Sequence, residues 1–340
     1  RLGAKRTRRY DLHDWLKQES FVVATRRALL ALLVLIPFTA HGQDWPTRPI
    51  HVIVPYPPSG STDIAARLIG ESLNRSLGQR TVIENKSGAG GVIGVEAAAQ
   101  SAPDGYTILI APDFVTSAPH IFKMNVDPMK TLVPVIQISR QPVVLAVHPS
   151  LGVTTLADFV ALAKREPGIG FATSGVGSQQ QIVAEWFAKL VGIKLQHVPY
   201  RGGGQAINDL IAGHIKVASL GSTPLMPHYK AGTVRILAQS TEARSPSLPD
   251  VPTYQEAGVK GLVLDQWLGV FVPTGTPPAI VSKLNTEIGK ALGEKNVRDN
   301  LLKSAQEPVG GTVVMFADLV RSDYQKYATL VKELGIHADQ

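Results

Sequence analysis

The chain has 340 residues, 44% apolar and 18% charged, with a net charge of +7, a length that suits two domains better than one core. Residues 1–43 hold eight Lys/Arg against three Asp/Glu, which leaves about +2 on the rest, so the basic balance gives no case for nucleic-acid binding. The absence of cysteine excludes disulfides, thiolate metal sites and a lipid-bearing cysteine within these residues.

In chain order, Arg26 and Arg27 precede the apolar run Ala28–Phe38, and Ala40 and Gly42 follow at the −3 and −1 positions of a small-residue cleavage site. The run is too short to cross a bilayer, which takes about 20 residues. We read 1–43 as a leader and export signal cleaved near Gly42/Gln43, placing the mature chain in a bacterial periplasm. Thr25-Arg26-Arg27 fits a twin-arginine signal as well as an ordinary secretory one. No later segment is apolar enough to insert in a membrane.

Short β-branched runs then alternate with helical patterns. Predicted strands are Ile50–Val54, Thr81–Glu84, Thr107–Ala111, Val143–Val147, Gly170–Thr173, Leu195–Val198, Val217–Ser219, Val234–Ala238 and Gly269–Val272. Between them, Ile64, Leu68, Ile69 and Leu73 mark one apolar helix face, and Ile182, Val183, Trp186, Phe187 and Leu190 another. Two further helices are expected at Pro277–Leu292 and Val313–Leu334. The alternation predicts an α/β fold of parallel sheets flanked by helices. Strand, small-residue turn and helix recur twice, in "VIVPYPPSGSTDIAARLIGESL" and "IGFATSGVGSQQQIVAEWFAKLVG", which suggests two similar lobes. Val143–Pro149 and Gln266–Pro273 are the expected crossings, giving lobe 1 as 44–142 plus 265–340 and lobe 2 as 143–264. Ligands of open α/β sheets sit at the carboxyl ends of strands, so both turns face a common cleft.

In the first turn, Ser59, Ser61, Thr62 and Asp63 offer capping side chains, and Gly60 lets a ligand approach the backbone. The first N–H groups of a helix lack internal partners and favour an anion. In the second, Thr173, Ser174 and Ser178 supply hydroxyls while Gly175 and Gly177 permit close approach. Either turn alone also reads as a plain helix cap; two on two lobes point to a bound carboxylate or similar oxyanion. Arg201 pairs with a carboxylate or lies solvated in a βα turn, Tyr200 lines a pocket, and Trp267 is cleft wall or core filler. "NKSGAGGVIG" (Asn85–Gly94) is one residue too long for GxGxxG, and no acidic residue follows on a next strand, so it reads as a tight turn and not a nucleotide site. GxSxG, HExxH and Asp-rich metal loops do not occur, and the nine histidines share no ligand spacing. The chain therefore reads as a binder, with no cofactor and no metal; an exported enzyme acting on a small acid is the weaker reading.

Several stretches, "WPTRPIHVIVPYPPSGSTD", "VIENKSGAGGVIG", "APDGYTIL", "VPYRGG", "RSPSLPDVPTYQEAG" and "PTGTPPAIVSKLN", resemble in one order the Bug-type periplasmic solute-binding proteins, receptors of tripartite tricarboxylate transporters. The resemblance covers nearly all of 44–336. It implies a two-lobed, periplasmic-binding-protein type II fold, a monomer that closes on a small organic carboxylate and serves membrane transporter subunits or a sensor ectodomain. Carried over by position, the carboxylate site comprises Tyr56, Ser59, Gly60, Ser61, Thr62 and Asp63, then Thr173, Ser174, Gly175 and Ser178, with Tyr200 and Arg201 at the next turn. Three departures stand out. Ser59 replaces one of two usual glycines; Leu220-Gly221-Ser222 follow Val217–Ser219 where an acidic residue is common; Asp113 stands where a small or hydroxyl residue is usual. Asp113 is expected to face the cleft, binding a donor group or disfavouring a second carboxylate.

Overall fold

A computed structural model describes residues 45–338. The predicted leader and export signal, 1–43, lie outside the described residues.

The strands are β1 (Ile50–Val54), β2 (Thr81–Asn85), β3 (Thr107–Pro112), β4 (Leu132–Val147), β5 (Ile169–Thr173), β6 (Leu195–Pro199), β7 (Val217–Gly221), β8 (Arg235–Gln239), β9 (Asp265–Pro273) and β10 (Glu307–Gly310). The longer helices are α1 (Ser61–Leu77), α2 (Val92–Ala99), α3 (Leu156–Arg165), α4 (Gln179–Val191), α5 (Gly203–Ala212), α6 (Pro278–Gly293), α7 (Lys295–Lys303) and α8 (Val313–Leu334). Local chemistry accounts for their limits. Helix α1 buries Ala65, Ala66, Ile69 and Leu73 on one face and ends at Gly78 in the left-handed region. Thr155 and Asp158 close a capping box at the start of α3.

The strands join in the order β2-β1-β3-β9-β4-β7-β5-β6, with β8 and β10 also pairing β4. Pairs β1–β2, β1–β3, β5–β6 and β5–β7 are parallel. The expectation of purely parallel sheets is corrected at β4 and β9, which run antiparallel to each other and to β7 and β3 respectively. Helical crossovers enforce parallel pairing, but β4 and β9 are straight spans of chain running in opposite directions, so no crossover governs them. Residues 132–142 of β4 pair with β9, Val143–Val147 with β7 and Val144–Val147 with β8. The sequence pattern misses that first half because Pro134, Ser139, Arg140 and Pro142 interrupt it, and the register shifts twice there.

The fold is two-lobed. One core gathers Ile53, Val95, Leu109, Phe114, Trp267, Phe271 and Phe316. Two others flank the β5–β7 strands, one around Phe159, Phe171, Phe187 and Tyr254, one around Val144, Leu210, Leu220 and Leu248. Helix α8 serves two cores: Phe316 and Val320 enter the first, Tyr327, Leu330 and Val331 the second.

Candidate functional site

The carboxyl ends of β1, β3, β5, β6 and β7 open onto one cavity of about 430 Å³, walled by the turns that lead into α1, α4 and α5. That size suits a small solute.

Asp63 builds the first turn. Its buried carboxylate accepts from the Ser59 N–H at 3.0 Å, from Asn85 Nδ2 at 3.0 Å and from Arg67 Nε and Nη2 at 2.9 and 3.0 Å. Asn85 Nδ2 also donates to the Tyr56 carbonyl, at 3.0 Å. Burial pushes the Asp63 carboxyl up, but Arg67, the Ser59 N–H and Asn85 outweigh it and hold the group below the ordinary range. With Asp63 occupied, Gly60 stands at the N-cap without a side-chain cap. The first-turn N–H groups of Ser61 and Thr62 have no intrahelical acceptor, and both residues line the cavity.

The second turn is built differently. Ser178 caps α4, accepting from the Gln181 N–H at 3.3 Å and donating to the Gly175 carbonyl at 2.8 Å. Gly175 has φ +143, and a Cβ there would lie 3.3 Å from the Tyr200 carbonyl, so only glycine fits without strain. Ser174 N–H and hydroxyl both donate to Gln180 Oε1, the former at 3.1 Å. The N–H groups of Gln179 and Gln180, ahead of the capped one, open α4 at the cavity wall. A third helix start, Gly202–Gly204 of α5, has no side-chain cap and completes this side. Arg201 lies beside it, exposed, with no hydrogen-bonded or ion-paired partner among the described residues, and is the one basic side chain lining the cavity.

Asp113 closes the floor at the end of β3. It is 1% exposed; the Tyr327 hydroxyl donates to its Oδ2, and its Oδ1 has no hydrogen-bond partner among the described residues. Tyr327 in turn accepts from Gln179 Nε2 at 2.9 Å. Burial, chiefly, pushes the Asp113 carboxyl up to about 8, against the Tyr327 hydrogen bond, which lowers it. Burial and then the Asp113 charge push the Tyr56 hydroxyl up as well.

Of the residues expected at the site, Tyr56, Ser59, Gly60, Ser61, Thr62, Asp113, Ser174, Ser178 and Arg201 line this cavity. The structure gives the other five supporting places. Asp63 clamps the first turn from behind. Thr173 Oγ1 meets His197 Nε2 at 2.7 Å, and burial pulls that imidazole down to about 4. Gly175 shapes the second turn. The Tyr200 hydroxyl donates to Asp209 at 2.6 Å. Trp267 packs edge-on against Phe316 and donates to Asp323 at 2.7 Å; it borders a separate cavity of about 580 Å³ shared with Arg140, Asp265 and Lys326. Sequence reasoning missed Gln179, Gln180, Asn208 and Gln266 on the wall. The three glutamines in "SQQQ" after a small-residue turn were the available signal; Gln266 carried none. In the near-fingerprint, a Cβ on Gly94 would lie 2.7 Å from both the Lys86 carbonyl and Pro55 Cα, so that glycine serves close packing of α2. Among the described residues, no group of side chains could hold a metal ion, and no helix is long and apolar enough to cross a membrane.

A family model described as tripartite tricarboxylate transporter family receptor matches residues 65–336. The chain is 37% identical over 298 residues to the protein BugT of Bordetella pertussis, covering 86% of this chain and 91% of that one. Among solved structures, Rpa4515 of R. palustris with adipate superposes with a TM-score of 0.83 at 34% identity, covering 86% of this chain and 99% of that one. MatC (Rpa3494) from Rhodopseudomonas palustris with bound malate gives a TM-score of 0.80 at 30% identity, covering 84% and 100%.

Proposed function

The chain belongs to the tripartite tricarboxylate transporter receptor family, and from that premise we propose that it captures one small organic carboxylate in the periplasm and delivers it, unchanged, to a tripartite tricarboxylate-type membrane transporter. The observation that carries the reading is the convergence on one cavity of three helix starts, those of α1 and α5 without a side-chain cap and that of α4 with its Ser178 cap engaging only the Gln181 N–H, together with Arg201, which has no partner among the described residues. Each first-turn N–H bonded to a carboxylate gives about 1.5–3 kcal/mol as a charge-assisted hydrogen bond. Four of them, from Ser61, Thr62, Gln179 and Gln180, are of the order of the roughly 8 kcal/mol that micromolar affinity requires, before ordering costs.

The solute binds as a carboxylate clamped between lobes, and no covalent step is involved. We assign the lobes as 44–142 plus 265–340 and 143–264, hinged where β4 changes partners at Pro142/Val143 and where β9 begins at Asp265. The cleft edges meet in the structure: Ser117 Oγ donates to the Gly177 carbonyl at 3.2 Å, and Gly202 lies against Pro57. A solute that bridges both lobes favours this arrangement over an open one by its differential affinity, and the partner reads the closed form. Adipate and malate, bound in the related structures, support a small aliphatic dicarboxylate as the solute class.

A thermal-shift screen of the protein with aliphatic dicarboxylates, aromatic acids, tricarboxylates and nicotinate, followed by calorimetry, tests the reading. The expected result is one-to-one binding of an acid that is recovered unchanged. Stabilisation by neutral sugars or amines alone, or chemical conversion of the acid, would overturn it.

A further inference from the structure

We propose that Asp113 determines which acids the cleft accepts: its free carboxyl oxygen takes the second carboxyl group of a dicarboxylic acid, with one proton shared between the two. The inference rests on the receptor reading above and adds the solute's second pole to it.

Asp113 is buried, lines the cavity and is satisfied on one side only. The Tyr327 hydroxyl spends its single proton on Oδ2 while accepting from Gln179 Nε2, which is itself fixed by the Asp265 carbonyl at 2.8 Å. Tyr327 is therefore locked as a donor, and Oδ1 is left for whatever enters the cavity. A buried oxygen without a partner is costly, so a bound group that supplies or accepts a proton there gains that cost back.

The charged and titratable groups around Asp113 decide the occupant. They are Tyr56 from the first turn and Tyr327, Asp323 and Lys326 from α8. Lys326 bonds Asp323 at 3.2 Å and makes no hydrogen bond to Asp113, whose carboxyl burial raises more than the Lys326 charge lowers it. With the carboxyl pushed up to about 8 by burial, Asp113 carries its proton at neutral pH. A protonated carboxyl donates to an incoming carboxylate, a short charge-assisted bond; two ionised carboxyls in the same buried space repel. The proton balance is simple: neutral Asp113 binds the dianion with no proton uptake, and ionised Asp113 binds it with uptake of one. A solute ammonium would instead require Asp113 to lose its proton and would face Arg201 and the positive ends of three helices.

The test is calorimetric titration of the full chain from pH 6 to 9.5 with adipate and succinate, and with hexanoate and butyrate as matched monocarboxylates. The expected dicarboxylate Kd is constant to about pH 8 and then weakens towards tenfold per pH unit, while monocarboxylate profiles stay flat. Asp113→Asn flattens the dicarboxylate profile. Tyr327→Phe, which removes the bond favouring ionised Asp113, moves its midpoint to higher pH. A flat wild-type dicarboxylate profile, a profile unchanged in D113N, or binding of monocarboxylates alone overturns the assignment of Asp113 and leaves the receptor reading in place. Failure of every acid to bind overturns both.

Discussion

Ser59 sits at φ +73, a left-handed conformation that costs a non-glycine residue about 1–2 kcal/mol, and the Asp63 carboxylate holds it there through the Ser59 N–H. Asp63→Ala strands that N–H and the Asn85 amide, so we expect a loss of about 1–3 kcal/mol in chemical denaturation and weaker acid binding, because the start of α1 loosens. The two carboxylates also set opposite pH dependences. Asp63 is held below its unfolded value of about 3.9; its contribution is full above that pH and is lost as pH falls through the folded value. Asp113 is raised to about 8; its contribution is full below about pH 4 and is lost as pH rises towards 8. Asp113→Asn is therefore expected to gain stability relative to wild type between pH 5 and pH 8. Denaturation of both proteins at the two pH values checks this, and a gap that is constant or moves the other way contradicts it.

At the scale of elements, the starts of α1 and α4 perform the same task with different parts: an Asp63 carboxylate in the first helical turn that clamps the preceding loop in one, a Ser178 cap in the other. Small residues before an apolar helical pattern made both legible, because a helix that opens towards a ligand must dispense with bulky side chains. What the pattern conceals is equally physical. Asp63, Thr173 and Tyr200 belong to the right turns yet bond Arg67, His197 and Asp209, and side-chain direction within a turn leaves no trace in spacing. Trp267 at the start of a crossing strand reads equally as wall or core until Phe316 and Asp323 are seen to claim it. Strand β10, four residues with Pro308 and Gly310, lacks any alternation to detect. Packing at α2 gives a direct check: Gly94→Ala places a methyl 2.7 Å from the Lys86 carbonyl and Pro55 Cα. That overpacking should cost about 1–3 kcal/mol, with a lowered Tm as the readout and no change in nucleotide affinity to find.

Across the whole molecule, α8 ties two hydrophobic cores together. Its first half fills the core around Trp267, its second half the core around Phe187, and Tyr327 joins Asp113 at the end of β3 to Gln179 at the start of α4. The linear order of elements concealed this, since a C-terminal helix following β9 and β10 gives no sign that half of it packs against the core around Phe187. Closure on a solute should therefore stabilise the chain as a unit, by about 2.7 kcal/mol at a hundredfold excess over Kd, and should lower the radius of gyration measured by solution scattering. A crystal structure with the tightest-binding acid tests the central claim most directly. The account predicts a carboxylate lying on the N–H groups of Ser61 and Thr62 from one lobe and of Gln179 and Gln180 from the other. An acid bound elsewhere, or one that touches the helix starts of a single lobe only, would contradict it.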